Sequence, residues 1–421
     1  MTRPQPEDHP ADTAGPIDTA ELVDSAERCP FPFPITSALD PSPEYARLRA
    51  EQTACPVTLP SGDPAWIVTR YEDVRTVFSD PRFSRQAATR PGAPQFMPGV
   101  EGDPDSIVSK DAPDHTRLRK LVAPAFTVRR IEAMRPGIQR TVDELLDAME
   151  QGGPGGDVVS ALSAPLPIMT IGDLLGVPRQ DQPLFRQWSD QMFKTAPDQL
   201  QEAVAARQAL IGYLAAMVQG RRAAPADDLL GVLIAARDND DRLSERELVS
   251  FAGGLIVAGY ETTANRLANA VLVLLRNPGQ LALLRAEPQR IGDAVEELLR
   301  YIPGGAAGGL MRVATEDVKM GSVLIRAGEG VIAVTNSANR DALVWEDPDT
   351  FDITRRPGSH TTFGHGIHHC VGAQLARLEM QIGINTLIRR FPGLRLAVPE
   401  SELPWKRNMV IHSLEALPVT W

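Results

Sequence analysis

The stretch that decides the fold is His360-Thr-Thr-Phe-Gly-His-Gly-Ile-His-His-Cys370-Val-Gly-Ala-Gln-Leu-Ala-Arg-Leu-Glu379. Its first ten residues hold two glycines, an aromatic residue and four histidines, a composition typical of a constrained loop. From Val371 onward the apolar residues recur at spacings of four and three, which predicts a helix. Cys370 therefore lies where a loop becomes a helix N-terminus. There the free N–H groups and the helix dipole are expected to lower the pKa of the thiol.

Two ordinary interpretations of this segment come first. One is a structural cysteine buried in a turn, and the other is a zinc site built with the neighbouring histidines. The other residues favour neither. Gly364, Gly366 and Gly372 leave three positions without a Cβ, which suits backbone with positive φ or close approach to a flat ligand. Phe363, seven residues before the cysteine, would shield the sulfur from water.

The pattern Phe363-x-x-Gly-x-His-x-Cys-x-Gly372 resembles the cysteine-ligand loop of the cytochrome P450 family, the heme-thiolate monooxygenases. The resemblance implies that Cys370 is the single iron ligand of heme b (iron protoporphyrin IX), with Phe363 and Gly372 beside the cofactor. A thiolate ligand pushes electron density onto the iron and favours O–O cleavage. It also implies the P450 fold, in which heme lies between a long central helix and the helix that follows the cysteine.

The composition predicts a soluble, cytoplasmic protein without a membrane anchor. Hydrophobic residues make up 43% and charged residues 23% of the 421 residues, as in typical globular proteins. The net charge of −11 argues against nucleic acid as a partner. Three cysteines give no disulfide framework, which fits a reducing cytosol. We find no apolar run long enough to span a membrane and no signal-peptide core at the N-terminus.

Helical patterns dominate the chain, which predicts a mainly α fold with a minor β part. Residues 1–30 are rich in Pro, Asp and Glu and are expected to form a disordered tail, with residues 31–421 as a single heme domain. Residues 85–113 show no clean period, as in a long functional loop. The longest helix is predicted over residues 243–277. It is apolar over most of its surface, which is typical of a helix in the middle of a protein.

The predicted central helix contains Ala258-Gly-Tyr-Glu-Thr-Thr-Ala-Asn265. Taken alone, this sequence is explained by a kink in which a threonine hydroxyl bonds back to the preceding turn. The order Ala-Gly-x-Glu-Thr-Thr is similar to the oxygen-activation motif of the P450 family. That similarity implies that Ala258 and Gly259 leave room for dioxygen. It also implies that Thr262 donates a hydrogen bond there and that Glu261 relays protons from solvent.

A Glu-x-x-Arg element occurs at Glu297–Arg300, about 70 residues before Cys370. The spacing alone is weak, because it recurs at four other places in the chain, and the position selects this copy. Side chains three apart on a helix share a face and can pair. The resemblance implies a structural pair bonded to the segment before the cysteine loop, through Asn339-Arg340 or Arg355.

Heme carries two propionates that need cationic partners. The resemblance implies five candidates, namely His115, Arg119, Arg312, His360 and His368. Each of them alone is explained as well by a surface charge, and only the set points to one cofactor. Because these motifs lie between residues 115 and 370 yet must meet at one heme, we expect one large domain.

The implied function is insertion of one atom of O2, by hydroxylation or epoxidation, into a bulky small molecule, with a secondary metabolite as the expected substrate. Electrons would come from a separate ferredoxin and reductase that dock near Arg117, Lys120 and Arg377. The run of small residues over 304–309 suggests room for a bulky ligand. A monomer is expected. Two alternatives stay open: a P450-fold enzyme that uses peroxide or catalyses another oxidation or rearrangement, and a zinc-binding structural protein.

Overall fold

The computed structural model describes residues 28–34, 39–51, 53–97, 103–192, 194, 199–226, 228–238, 243–304, 309–356, 358–406 and 413–421. Most of the predicted tail, residues 1–27, lies outside this described part. Cys29–Pro30 forms a strand that pairs in parallel with Val57 and Thr58. This strand falls within the last two residues of the predicted tail.

Helices form most of the described chain, as the sequence predicts. They are Pro43–Glu51 (α1), Tyr71–Ser79 (α2), Asp114–Val122 (α3), Val128–Gln151 (α4), Pro165–Leu175 (α5), Gln182–Met192 (α6), Leu200–Ala223 (α7), Leu229–Asp238 (α8), Glu245–Arg276 (α9), Pro278–Ala286 (α10), Ile291–Tyr301 (α11), Thr335–Ala338 (α12) and Ala373–Arg390 (α13). Short 3-10 turns at Ala87–Thr89 and Ile107–Ser109 are the helical pieces described within the predicted loop 85–113.

The central helix α9 is bounded by local signals. Ser244 accepts a hydrogen bond from the backbone of Glu247, whose side chain bonds back to Ser244, and this capping box starts the helix. Pro278 follows its end and begins α10. Buried side chains occupy most of the circumference of α9, which packs against α5, α7 and α13. The predicted core helix is therefore confirmed within two residues at each end.

The β part is small, and six of its eleven described strands form one sheet. Its strands are Cys29–Pro30 (β1), Ala54–Thr58 (β2), Pro64–Val68 (β3), Phe83–Ser84 (β4), Gly155–Asp157 (β5), Arg312–Ala314 (β6), Val318–Met320 (β7), Val323–Ile325 (β8), Gly330–Ala333 (β9), Arg395–Leu396 (β10) and Pro418–Thr420 (β11). The main sheet has the order β1-β2-β3-β9-β6-β4. Antiparallel pairing of β6 with β9, in which Arg312 faces Val331, fixes the position of Arg312.

The apolar core joins the helices that surround α9, including α4, α5, α11 and α13, and a second cluster lies between α2 and the main sheet. No single described helix is long and apolar enough to cross a membrane. The pair α9–α10 meets the length and composition criteria together, but it bends by 102°. Most of α9 is buried in the core, which explains its apolar sequence without a membrane.

Candidate active site

The cysteine loop is a tight turn closed by its own backbone. The Cys370 N–H donates to the carbonyl oxygen of Phe363 at 2.9 Å. Gly364 and Gly366 have φ of 73° and 71°, as predicted for glycine in this loop. A Cβ on Gly366 would lie 2.6 Å from the carbonyl oxygen of Phe78, so no larger residue fits. Gly372 differs, because its φ of −83° is ordinary.

The sulfur of Cys370 opens onto an internal cavity of about 410 Å³. Burial raises the pKa of the Cys370 thiol, although the Gly372 N–H, Arg119 and Arg377 lower it. Without a metal ion, desolvation outweighs the lowering effect of the helix N-terminus, which acts here through the Gly372 N–H. A coordinated metal ion would reverse this balance, since a coordinating thiol is deprotonated outright.

Much of the cavity lining comes from the cysteine loop with the start of α13, from the middle of α9, and from Pro303, Gly304, Gly309, Leu310 and Arg312. Eight of the predicted site residues line it, namely Ala258, Gly259, Thr262, Arg312, Phe363, His368, Cys370 and Gly372. The cavity volume lies within the range of small-molecule and cofactor sites. The two sequence motifs on α9 and around Cys370 thus face each other across one space.

A cation cluster lies beside the cysteine loop, where Arg85, Arg312 and His368 line the cavity and His115 and Arg119 lie close to His368. Burial, together with the charges of these four neighbours, lowers the pKa of His368 to about 3. The rings of His115 and His368 are 4.3 Å apart between centroids. The buried Nε2 of His368 has no hydrogen-bond partner among the described residues.

The same excess of positive charge acts on Arg312. Burial and the charge of the neighbouring Arg85 together lower its pKa to about 9. Asp111 is the acidic group that opposes this effect, and its oxygens already accept from Ser84 and the backbone of Arg85. A site with more buried cations than carboxylates, next to an accessible thiol, fits a dianionic cofactor such as heme.

His360 does not line the cavity. Its ring lies 5.8 Å from that of Phe363, and its Nε2 is 3.2 Å from Oε2 of Glu296 on α11. The same carboxylate accepts from Nε of Arg377 at 2.6 Å. The geometry therefore does not support the predicted propionate contact of His360. It places His360 where the cysteine loop attaches to α11.

The two polar residues predicted for proton delivery point in different directions. Thr262 lines the cavity, and its hydroxyl donates to the carbonyl oxygen of Ala258 at 2.6 Å, the back-bond expected for a threonine in a helix. Glu261 is 2% exposed and does not line the cavity. It accepts from Ser413 at 3.0 Å and from Lys406 at 3.3 Å. Burial raises the pKa of Glu261, and Lys406 lowers it.

The Glu297–Arg300 pair is buried and closely bonded, as predicted. Two parallel bonds of 2.7 Å join the guanidinium to the carboxylate. Arg300 also donates to the carbonyl oxygens of Asn339 and Pro348, each at 2.8 Å. Arg355 donates to Glu297 at 3.1 Å. Both predicted contacts with the segment before the cysteine loop are therefore confirmed.

Two of the three predicted docking residues are engaged in ion pairs. Arg117 bonds to Glu247 at 2.6 Å and Arg377 to Glu296. Of the three predicted docking residues, Lys120 is the exposed one without an ion pair among the described residues.

Within the described ranges, no three His, Cys, Asp or Glu side chains converge as a metal site would require. The zinc-protein alternative therefore lacks its ligand set, because the loop histidines point to different neighbours.

Three functional residues are missed by reasoning from the sequence. Arg85 lies in the cation cluster, Glu296 holds the cysteine loop, and Glu379 on α13 lines the cavity. Burial raises the pKa of Glu379 to about 8, and a hydrogen bond with Thr170 lowers it. The only signal for Glu379 is a charged residue on the apolar face of a helix, which also fits a surface position.

Comparison with known proteins agrees with this geometry. The family model described as Cytochrome P450 matches residues 171–413. Nocardicin C N-oxygenase of Nocardia uniformis subsp. tsuyamanensis is 50% identical and covers 93% of this chain and 98% of its own. Mycinamicin IV hydroxylase/epoxidase of Micromonospora griseorubida is 41% identical, with 94% and 100% covered.

Solved structures give the same result. The structure of HinD with NMFT and NO superposes with a TM-score of 0.89 at 47% identity, covering 94% of this chain and 100% of that one. LnmA, a cytochrome P450 hydroxylase from the leinamycin biosynthetic pathway of Streptomyces atroolivaceus, gives 0.86 at 45% identity, with 93% and 100% covered. The chain belongs to the cytochrome P450 family: it is a monooxygenase that uses a heme-iron cofactor and acts with a redox partner on a small molecule.

Proposed function

We propose that this monooxygenase oxidises a bulky secondary metabolite and holds heme b through Cys370. The observation that carries the proposal is that the Cys370 thiol, Thr262 and three members of the cation cluster, Arg85, Arg312 and His368, all line one cavity. When bound, a thiolate-ligated heme supplies the activation of dioxygen. The remaining roles belong to residues of this chain.

Four side chains would hold the propionates, namely the guanidinium groups of Arg312 and Arg119 and the imidazoles of His115 and His368. The excess of arginines over carboxylates in this cluster supports this role, because the two negative charges of the propionates would offset it. Phe363 and Gly372 would pack against the macrocycle. We assign His360 a positioning role instead: it lies beside Glu296 and, with Arg377, attaches the cysteine loop to α11.

Proton delivery would end at the hydroxyl of Thr262, which is accessible from the cavity beside Ala258 and Gly259. Glu261 would receive protons on the other face of α9, where Lys406 links it to Asp190 at 3.6 Å. The raised pKa of Glu261 favours this role, because the carboxyl can hold a proton closer to neutral pH. A change of its side-chain conformation would bring that proton to the cavity.

The names of the relatives support a natural product as substrate, since they act on nocardicin C and mycinamicin IV. They include an N-oxygenase and a hydroxylase/epoxidase, so oxygen transfer to nitrogen, to a C–H bond or to an alkene are all within the proposal. Electrons would come from a ferredoxin and its reductase, with the exposed Lys120 as one docking contact. The enzyme would act as a monomer in the cytoplasm.

Absorption spectroscopy tests the proposal. The purified protein, reduced and exposed to CO, should show the strongly red-shifted Soret band of thiolate-ligated heme, and Cys370→Ala should abolish it. A spectrum without that band would overturn the assignment of Cys370. Turnover with NADH, a ferredoxin and its reductase should then exceed turnover with peroxide. The reverse result would favour the peroxide-using alternative.

A further inference from the structure

Arg266 gives the cavity a second cationic point, away from the cation cluster beside the cysteine loop. It lies four residues after Thr262 on α9, about one helical turn, and both residues line the cavity. The charges that perturb His368 are those of His115, Arg312, Arg85 and Arg119, and Arg266 is not among them. Propionates held by that cluster would therefore leave Arg266 without an anion.

Arg266 is half-buried at the edge of the cavity and has no acidic partner among the residues that the structure describes. Burial alone lowers its pKa to about 10, so the group is still protonated at neutral pH. Its hydrogen bond within the described part of the chain runs from Nη1 to the carbonyl oxygen of Ile302. Partial burial of a charge without a carboxylate partner is unfavourable, and an anionic ligand would offset it.

A purely structural explanation is that Arg266 caps the C-terminal end of α11, where a cation is favourable. That role uses one of five N–H donors, and it leaves Nη2 unexplained. Nη2 lies beside Gly304, where an added Cβ would come within 3.2 Å of it. The N–H of Gly304 donates to Oδ1 of Asn336 at 2.6 Å, which holds this backbone in place. The glycine therefore keeps space open next to the guanidinium.

We infer that Arg266 binds a carboxylate of the substrate at the α9–Gly304 side of the cavity. The planar fork of a guanidinium suits a carboxylate, and such charge-assisted bonds are stronger than neutral ones. The atom to be oxidised then lies on the order of one helical turn, about 6 Å along α9, from the bound acid. The inference rests on the proposed function, because it presumes heme on the cysteine side.

The test uses ω-(imidazol-1-yl)alkanoic acids of increasing chain length, each with its methyl ester. The imidazole coordinates heme iron and gives a spectral shift. The alkyl length that binds most tightly therefore reports the distance from the iron to the acid-binding group. In the wild type, one chain length should bind at least about tenfold more tightly as the acid than as the ester. In Arg266→Gln that preference should vanish while ester binding stays unchanged.

Further variants keep the test decisive. Arg266→Lys should retain part of the acid preference, and Gly304→Ala should reduce it by displacing Nη2. Arg326→Gln, a charge removal at an exposed arginine, should leave it intact. Equal binding of acid and ester by the wild type, or equal weakening of both in Arg266→Gln, overturns the inference. The CO spectrum separates this failure from that of the proposed function: a protein without thiolate-ligated heme overturns both.

Discussion

Two glutamates inside this protein, Glu296 and Glu379, differ in their pKa values because only Glu296 has cationic partners. On α11, burial would raise the pKa of Glu296, but His360 and Arg377 outweigh it and lower the value to about 2. Near the cavity, Glu379 has no charged partner that shifts it, and burial raises its pKa to about 8. Glu296 therefore stabilises the fold as a fixed negative charge, whereas Glu379 can gain or lose a proton near neutral pH.

The same contrast separates the two sides of the cavity. Behind the cysteine loop the charges are matched, as in the bidentate Glu297–Arg300 pair and the Glu296–Arg377 pair. On the α9 side they are not, since Arg266 lacks a carboxylate among the described residues and Glu261 shares one lysine with Asp190. Matched charges hold the cysteine loop in place, whereas unmatched charges, in the cation cluster and at Arg266, leave donors for the groups that bind in the cavity.

The largest effect is expected at the most completely matched charge. Glu297→Ala leaves Arg300 buried and unpaired at about 1% side-chain exposure, and breaking such a pair costs about 3–5 kcal/mol. We expect protein that retains little heme and unfolds at markedly lower urea concentration. The measurements are the heme-to-protein ratio and the urea midpoint. Glu287→Ala, which breaks an exposed Glu-Arg pair of the same spacing, is the control. Normal heme content in Glu297→Ala would contradict the structural role.

Glu379, which has no charged partner, should make the stability of the protein depend on pH. Because the pKa of Glu379 is raised from 4.5 to about 8, the folded state keeps a proton that the unfolded state loses above pH 4.5. Stability contributed by this group therefore falls as pH rises from about 4.5 to 8. Between pH 5.5 and pH 8 the loss is of the order of 2–3 kcal/mol, at about 1.4 kcal/mol per pKa unit.

Glu379→Gln removes this titration while keeping the shape and the Thr170 hydrogen bond. We expect the variant to gain stability over the wild type at pH 8 and to differ little at pH 5.5, as measured by urea unfolding at the two values. A difference that is the same at both pH values would show that Glu379 is already ionised in the folded protein.

At Glu296 the sign reverses, and only part of the effect falls within the pH range of the measurement, because the pKa lies near 2. Its pKa is depressed to about 2, so its contribution is full above pH 4.5 and is lost as pH falls toward 2. Glu296→Gln should cost about 1.5 kcal/mol at pH 7, the value of a hydrogen bond to a charged group, and less at pH 3.5. Thermal unfolding at both pH values checks this. Constant cost across that range would mean that packing, and not charge, holds the cysteine loop.

The sequence predicts best what short windows contain. The bounds of α9 follow from the Ser244 capping box and Pro278, and the cysteine loop follows from its glycines. The partners of Glu297–Arg300 also come out as predicted. His360 does not, because closeness to Cys370 in the chain does not set the direction of a side chain.

Residues that matter only through the packing of distant elements give no local signal. Arg85 meets Arg312 across more than two hundred residues, and Glu296 meets Arg377 across 81. Arg266 lies next to a recognisable motif, yet its hydrogen bond to the carbonyl oxygen of Ile302 depends on where α11 ends. The side of the cavity that holds the cofactor is therefore more predictable than the side that would hold the substrate.

The smallest of these effects tests whether the unmatched carboxyl on α9 moves protons. Glu261→Gln keeps the contacts with Ser413 and Lys406 but cannot ionise, and we expect turnover supported by NADH and a ferredoxin to fall about tenfold, or about 1.4 kcal/mol. Peroxide carries its own protons, so peroxide-driven turnover should be nearly unchanged. Ser413→Ala, which removes a neutral contact of the same carboxylate, serves as control. Equal loss in both reactions would show that Glu261 supports the site by packing, because proton supply limits only the first.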